Sequence, residues 1–447
     1  MSKNRNLFNG INFKFPSNED GTFSFPTEKG VKDKLNELVT SVQSIDTRLD
    51  QKPLIYPLPA KAESHLFSAE EGGGYEVDGK ALHPLWMANY NESVEIIARA
   101  ETTALWRSTD NGETWTEILK NSAFLQIYGV ISTPPPHESV LIAARDVAGT
   151  QHATAWFRSE ILDNSDTVNW TKVAEASAGH FTSRYGRSIW DNVIIFSTYG
   201  DKNADNPPRF IYISTDYGKN FREVEAVKIS EMGDPSAFHI HDVEYDPWGS
   251  RIWISTGDTS ANSAVWYSDD WGESFNEVIT EPRMQPTSIT ALPDRVIFGS
   301  DDVPDGLRVW YRDFSARSKP VNSEDIKMLY MLDHEGIERR PEEPIVAVAN
   351  IFHSPTSNQI DSYPYNLISF FTWYGDPKYP NRLLASPDGE RWFEIFRIDG
   401  ELAGGSSSRV MGPVSNDPEK KIFYLHFHPS VGQVYYRLKM PKWVITQ

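Results

Sequence analysis

From residue 93 to the carboxyl terminus, short runs of mostly aliphatic residues alternate with short aromatic runs and polar turns, and helix-spaced apolar patterns are scarce. The aliphatic runs are Ser93 to Ala100, Ser139 to Asp146, Asn192 to Gly200, Arg251 to Asp258, Arg295 to Asp302, Asn366 to Gly375 and Lys421 to Phe427. Each precedes a run richer in aromatic residues: Thr103 to Ser108, Thr154 to Ser159, Arg209 to Ser214, Ala264 to Ser268, Leu307 to Arg312, Asn381 to Ser386 and Gln433 to Leu438. Runs of this length, bounded by Gly, Pro, Asn and Asp, predict strands.

A further run stands ahead of six of these pairs: Phe124 to Thr133, Phe181 to Trp190, Phe238 to Asp246, Gln285 to Pro293, Glu343 to His353 and Ser407 to Ser415. A fourth follows several of them, as in Trp115 to Lys120, Trp170 to Glu175, Phe221 to Val227, Phe275 to Thr280 and Trp392 to Ile398. Four strands per unit at a period of about 54 residues predict an all-β, seven-bladed β-propeller of four-stranded antiparallel blades over residues 59–447. Six blades is the alternative, if the last unit merges with an N-terminal strand. The longer connections, Ala60 to Leu82, Asp201 to Pro208, Asp301 to Leu307, Ser354 to Tyr365 and Asp376 to Pro380, are either recognition loops or tolerated insertions.

One turn pattern closes four of the units: Ser108-Thr109-Asp110-Asn111-Gly112-Glu113-Thr114-Trp115, Ser214 to Phe221, Ser268 to Phe275, and the shorter Ser386-Pro387-Asp388-Gly389-Glu390-Arg391-Trp392. The Asp accepts backbone N–H bonds within the turn and the Gly takes a positive φ, while the closing Trp or Phe covers the turn from the next strand. These residues resemble the Asp-box, or bacterial neuraminidase repeat, of sialidases and many other β-propellers. In that family the boxes lie on the blade periphery, away from bound sugar. The resemblance therefore implies a structural role for Asp110, Gly112, Trp115, Asp216, Gly218, Phe221, Asp270, Gly272, Phe275, Asp388, Gly389 and Trp392. Units two, five and seven keep the flanking strands without the box; in unit two an insertion after Arg158-Ser159 runs through Asp166 before Asn169-Trp170 resumes the pattern.

Composition narrows the partners. The formal net charge of −19 opposes nucleic acid and anionic membranes. No cysteine is present, which removes disulfides, thiolate metal sites and a cysteine nucleophile. The amino terminus carries no apolar signal segment and no run of 18 apolar residues occurs, so neither secretion by a signal peptide nor membrane insertion is expected.

Residues 1–58 stand outside the repeat. Two Phe-x-Phe segments, Phe13-Lys14-Phe15 and Phe23-Ser24-Phe25, flank a polar turn and predict a hairpin. Val31, Leu35, Leu38, Val42, Ile45 and Leu49 then fall on one narrow helical seam, and Pro53 and Pro57 begin an extended linker. The seam suits either a helix lying on the propeller or a parallel helical assembly. From Gly10 to Asp50 this segment resembles the opening of small wedge proteins in the baseplates of contractile-tailed phages, which implies a virion component docked through residues 1–58.

Sialidases similar in their Asp-boxes use three arginines on the substrate carboxylate, a Glu-activated Tyr, an Asp acid/base and an Arg-Ile-Pro tripeptide. No Arg-Ile-Pro occurs here, and the spacing of Arg99, Arg145, Arg184 and Arg187 singles out no triad. The most distinctive polar stretch is Phe238-His239-Ile240-His241-Asp242-Val243-Glu244. On a regular strand His239 and His241 share a face, opposite Asp242. If that strand is innermost, the imidazoles point at the channel and could bind a metal or a ligand, with Asp258 as third partner. The same residues are also explained as histidines hydrogen-bonded within blade packing.

No catalytic residue, cofactor or metal is expected. The sequence is read as a non-enzymatic structural or attachment protein of a tailed-phage virion, assembled in host cytoplasm in multiple copies. Its expected partners are other virion proteins and a host-surface glycan. A glycan-cleaving or glycan-binding propeller, and a cytoplasmic assembly factor, are the alternatives.

Overall fold

The computed structural model describes residues 54–57, 75–77, 80–90, 93–100, 104–110, 112–119, 124–133, 137–146, 154–160, 170–176, 180–200, 205–257, 259–279, 285–300, 306–313, 320–331, 347–352, 367–373, 381–386, 389–398, 409–411, 422–427, 434–439 and 443–446. The chain divides into two compact units, Met1–Tyr56 with Ile445–Gln447, and Pro57–Val444. The expected hairpin and the helix seam Val31, Leu35, Leu38, Val42, Ile45 and Leu49 lie outside the described residues, as do Asp258 and Asp388.

The described strands form seven antiparallel sheets, in each of which the strands pair in the order in which the chain makes them. Sheets two to six have four strands each; the first has five and the seventh three. Leu54–Pro57 and Trp443–Thr446 pair separately. Among the described residues there is no α-helix, only the 3₁₀ turns Ile229–Glu231, Pro235–Ala237 and Ser323–Asp325. The inner strands are Lys80–Tyr90, Phe124–Ser132, His180–Trp190, Ile240–Asp246, Pro286–Ala291, Ala347–Phe352 and Arg409–Met411. Each lies beside the next, and Arg409–Met411 lies beside Lys80–Tyr90, which closes the series. This is the arrangement of a β-propeller, in which closure leaves no sheet with a long free outer face.

Burial on both faces explains why second strands such as Val193–Gly200 read as mostly apolar runs. In Val193–Gly200, Ile194 and Phe196 pack with Leu141, Ala143 and Trp156 of sheet two. Val193 and Ile195, on the opposite face, pack with Ile240, Val243, Ile252 and Ile254 of sheet four. Sheet four repeats the device, with Trp253 turned toward Val296, Phe298 and Trp310 of sheet five. From sheet one to sheet five the core is therefore a set of apolar layers between successive sheets, and side chains alternate between layers with the strand period of two.

One element departs from the sequence expectation. The connection Ala60 to Leu82 contains strand Tyr75–Val77, paired with the start of Lys80–Tyr90, so sheet one gains a fifth strand. In sheet five, which lacks the Asp turn, the fourth strand is Ile326–Met331.

Candidate functional site at the inner edge of sheets three to five

An inner strand has a sheet partner on one side only, so its other edge presents unpaired amides and carbonyls. Along Ile240–Asp246 and its neighbours, side chains from adjacent sheets meet these groups. Asp242 Oδ2 accepts from Ile289 N at 2.7 Å and Glu244 Oε1 from Ala291 N at 3.3 Å, so two carboxylates of sheet four cap the edge of sheet five. Asp242 Oδ1 accepts from Val243 N at 2.9 Å. Ser188 of sheet three donates to Glu244 Oε2 at 2.8 Å and accepts from Tyr245 N at 2.9 Å. Arg187 Nη1 donates to Val130 O at 3.0 Å, tying sheet three to sheet two.

The histidines belong to the same tie. His239 and His241 are 1% and 7% exposed, with ring centroids 4.7 Å apart, and Tyr199 stands edge-on to His239 at 4.6 Å. Because a carbonyl only accepts, His241 Nδ1–H donates to Pro286 O, at 2.9 Å. Gly257 closes over this ring: a Cβ there would meet His241 Cε1 and lie 2.7 Å from Gln285 Cγ.

The expected facing of these residues is corrected. Ile240 pairs with Thr256 and Asp242 with Ser255, so His241 is the extra residue of a β-bulge. The bulge breaks the alternation, and His241 and Asp242 both reach the inner strand of sheet five instead of opposite faces. The imidazoles are buried between sheets and do not line an open channel. Among the described residues no group of three His, Asp or Glu side chains could hold a metal ion, and Asp258 lies outside them.

Burial pushes the Asp242 carboxyl well above the usual carboxylate range, and the neighbouring charge of Glu244 adds to it. Both carboxylates are under 8% exposed, at 6% and 7%. They are directed at backbone amides of the next sheet, so the geometry makes them strand caps. Of the arginines considered for a carboxylate clamp, Arg99 Nη1 donates to Ile127 O at 3.4 Å and Arg187 to Val130 O, each on a separate sheet junction. The side chains of Arg145 and Arg184 are outside the described set.

At the other end of the sheets, the turns at Asp110, Asp216 and Asp270 share one hydrogen-bond plan. The Asp Oδ1 accepts from the backbone N of Thr114, Asn220 or Ser274 at 2.9, 3.0 and 3.0 Å. The Asp Oδ2 accepts from the same three side chains at 2.5, 2.7 and 2.6 Å. Gly112, Gly218, Gly272 and Gly389 have φ of 86°, 76°, 86° and 73°. Trp115 Nε1 donates to Gly112 O at 3.1 Å, Phe221 packs edge-on to Phe196, and Phe275 lies against the layer between sheets three and four. Trp392 is buried at 9% exposure.

The serine that opens each copy was not singled out from sequence, although all four copies carry it. Ser108, Ser214 and Ser268 donate to their Asp at 2.7, 2.7 and 2.8 Å and accept from the Gly amide at 2.8, 2.9 and 2.7 Å. Ser386 likewise accepts from Gly389 N at 2.7 Å.

No protein-family model and no curated protein sequence matches the chain. Solved structures with a similar chain path include YCF48 from Cyanidioschyzon merolae (10% identity, covering 86% of this chain and 98% of that one, TM-score 0.43). Another is YCF48 bound to D1 peptide, at 11% identity, 85% and 97% coverage and TM-score 0.46. A third is oligogalacturonate lyase in complex with manganese, at 8% identity, 88% and 98% coverage and TM-score 0.48. Likeness at these scores adds nothing to what the strand pairing shows: the chain is an all-β propeller.

Proposed function

We propose that the chain is a non-enzymatic interaction scaffold, a structural or attachment component of a tailed-phage virion that residues 1–58 dock to other virion proteins. The observation that carries the scaffold reading is the inner edge itself. Asp242 and Glu244, the conspicuous carboxylates of the innermost strand, are buried and bonded to amides of the next sheet. A propeller built this way is a rigid platform, and rigid platforms present binding loops without needing chemistry at the axis. The virion setting rests on the amino-terminal sequence, whose single apolar seam matches a segment that buries itself against a partner.

The test keeps the full chain and changes the seam. Leu35→Asp with Leu38→Asp should abolish incorporation into tail particles while leaving the propeller folded and soluble. Incorporation at the wild-type level would overturn the docking role, and release of sugar from a host-glycan panel by the purified chain would overturn the scaffold reading.

A further inference from the structure

The turn that carries Trp271 has a bulky residue where its backbone favours a small polar one. Trp271 has φ of 61°, a left-handed conformation that Asn, Asp and Gly tolerate far better than an aromatic residue. At the equivalent position the first copy of the turn carries Asn111 and the second Tyr217, also at φ of 61°. In spite of this the indole is 38% exposed, among the most exposed large apolar side chains described. One side of it is fixed by Tyr245, stacked at 5.3 Å and 26°.

Beside the indole is a groove of about 370 Å³, within the roughly 300–1,000 Å³ of small-molecule sites. Ile213 and Phe221 line it with apolar surface, and Thr215, Asp216, Asn220 and Arg222 with polar groups. The charges around it are already matched. Arg222 Nη1 donates to Glu273 Oε1 at 3.0 Å and Nη2 to Trp271 O, and the Asp216 carboxylate is used by its own turn. Asn220 donates one amide hydrogen to Asp216 at 2.7 Å, leaving the other end of an exposed carboxamide for a ligand.

From this geometry we propose that the groove between the turns of sheets three and four binds a neutral oligosaccharide, with a pyranose ring laid on Trp271 and its hydroxyls on Asn220 and Thr215. A ring with one apolar C–H face and a rim of hydroxyls suits a fixed aromatic platform beside uncharged donors and acceptors. The cation lining the groove, Arg222, is already paired with Glu273, so the lining favours an uncharged ligand. The site is independent of the scaffold reading, and the failure of either leaves the other standing.

The test is a ligand-observed NMR titration of the full chain with maltose, cellobiose, lactose and chitobiose at millimolar concentration. At least one should bind, and Trp271→Asn should weaken it by about tenfold or more. That variant installs the residue of the first copy, so its thermal midpoint should not fall. Tyr217→Asn, in the turn of sheet three, should leave the affinity unchanged and controls for a general effect on these turns. Binding of none of the four sugars, or equal binding by Trp271→Asn, would overturn the proposal. So would competition at Trp271 by a charged peptide alone, which would assign the groove to a protein partner.

Discussion

Arg312 and Asp246 form a buried bidentate ion pair, with Nη1–Oδ2 at 2.7 Å and Nη2–Oδ1 at 2.8 Å, side chains 3% and 0% exposed. Asp246 ends the inner strand of sheet four and Arg312 follows the third strand of sheet five, so the pair joins neighbouring sheets. Further bonds hold both partners: Arg312 also donates to Pro293 O and Leu292 O, and Asp246 also accepts from Trp248 N and Gly249 N.

Arg312→Met should therefore destabilise the chain by about 3–5 kcal/mol, because it leaves a carboxylate buried without its counter-charge. Asp246→Leu added to Arg312→Met should recover part of that loss, since an apolar pair removes both desolvation costs. Urea midpoints of the two variants check this. A double variant no more stable than the single one would show that the pair acts through more than its charges.

Gly218 serves the turn and the layer between sheets at once. At φ of 76° a Cβ costs about 1–2 kcal/mol. It would also lie 2.6 Å from Leu141 Cδ2 of sheet two, whereas at Gly272 the nearest neighbour, Val224 Cγ1, is 3.1 Å away. Gly218→Ala should lower the urea midpoint more than Gly272→Ala; equal losses would mean that Leu141 moves aside at little cost.

Asp242 makes stability depend on pH. Its carboxyl is raised above the ordinary 3.8 chiefly by burial, so between the two values the folded chain holds a proton that the unfolded chain has released. The group's contribution is greatest below about pH 4 and is lost as pH rises through the folded value. Asp242→Asn should flatten that decline. It should also be less stable than wild type at the acid end, by about 1–3 kcal/mol, because a carboxamide oxygen cannot serve both Val243 N and Ile289 N as two carboxyl oxygens do. Urea midpoints across this range, running parallel in variant and wild type, would contradict the assignment.

Asp110 shifts the other way. The Thr114 hydroxyl, then the Thr114 amide, lower its carboxyl to about 2. A depressed pKa gives stability that is complete above about pH 4 and fades as pH falls toward the folded value. Thr114→Val removes the hydroxyl and keeps the amide, so NMR titration should find the Asp110 carboxyl moved up toward 3.8. An unchanged titration would place the effect elsewhere.

The strand layout was legible because burial on both faces writes itself into second strands such as Val193–Gly200 as mostly apolar runs. The turns were legible because only a few residue types fit a Gly at positive φ beside a capping Asp. The four serines were readable too, since Ser108, Ser214, Ser268 and Ser386 hold the same place in each copy, but an Asp draws attention first. The bulge at His241 was not readable: an extra residue exists only relative to its partners, Ser255 and Thr256. Nor was the pairing of Asp246 with Arg312, which are 66 residues apart and brought together by the order of sheets. The long first strand Lys80–Tyr90 was partly hidden in an expected loop, because it lacks a preceding unit to align with.

The most direct test of the proposed docking of the chain through residues 1–58 is to quantify, in purified virions, the full chain carrying Leu35→Asp and Leu38→Asp against wild type. The account predicts wild-type chain in the particles and the variant folded but left in the soluble fraction. Equal amounts of both in the particles would contradict it.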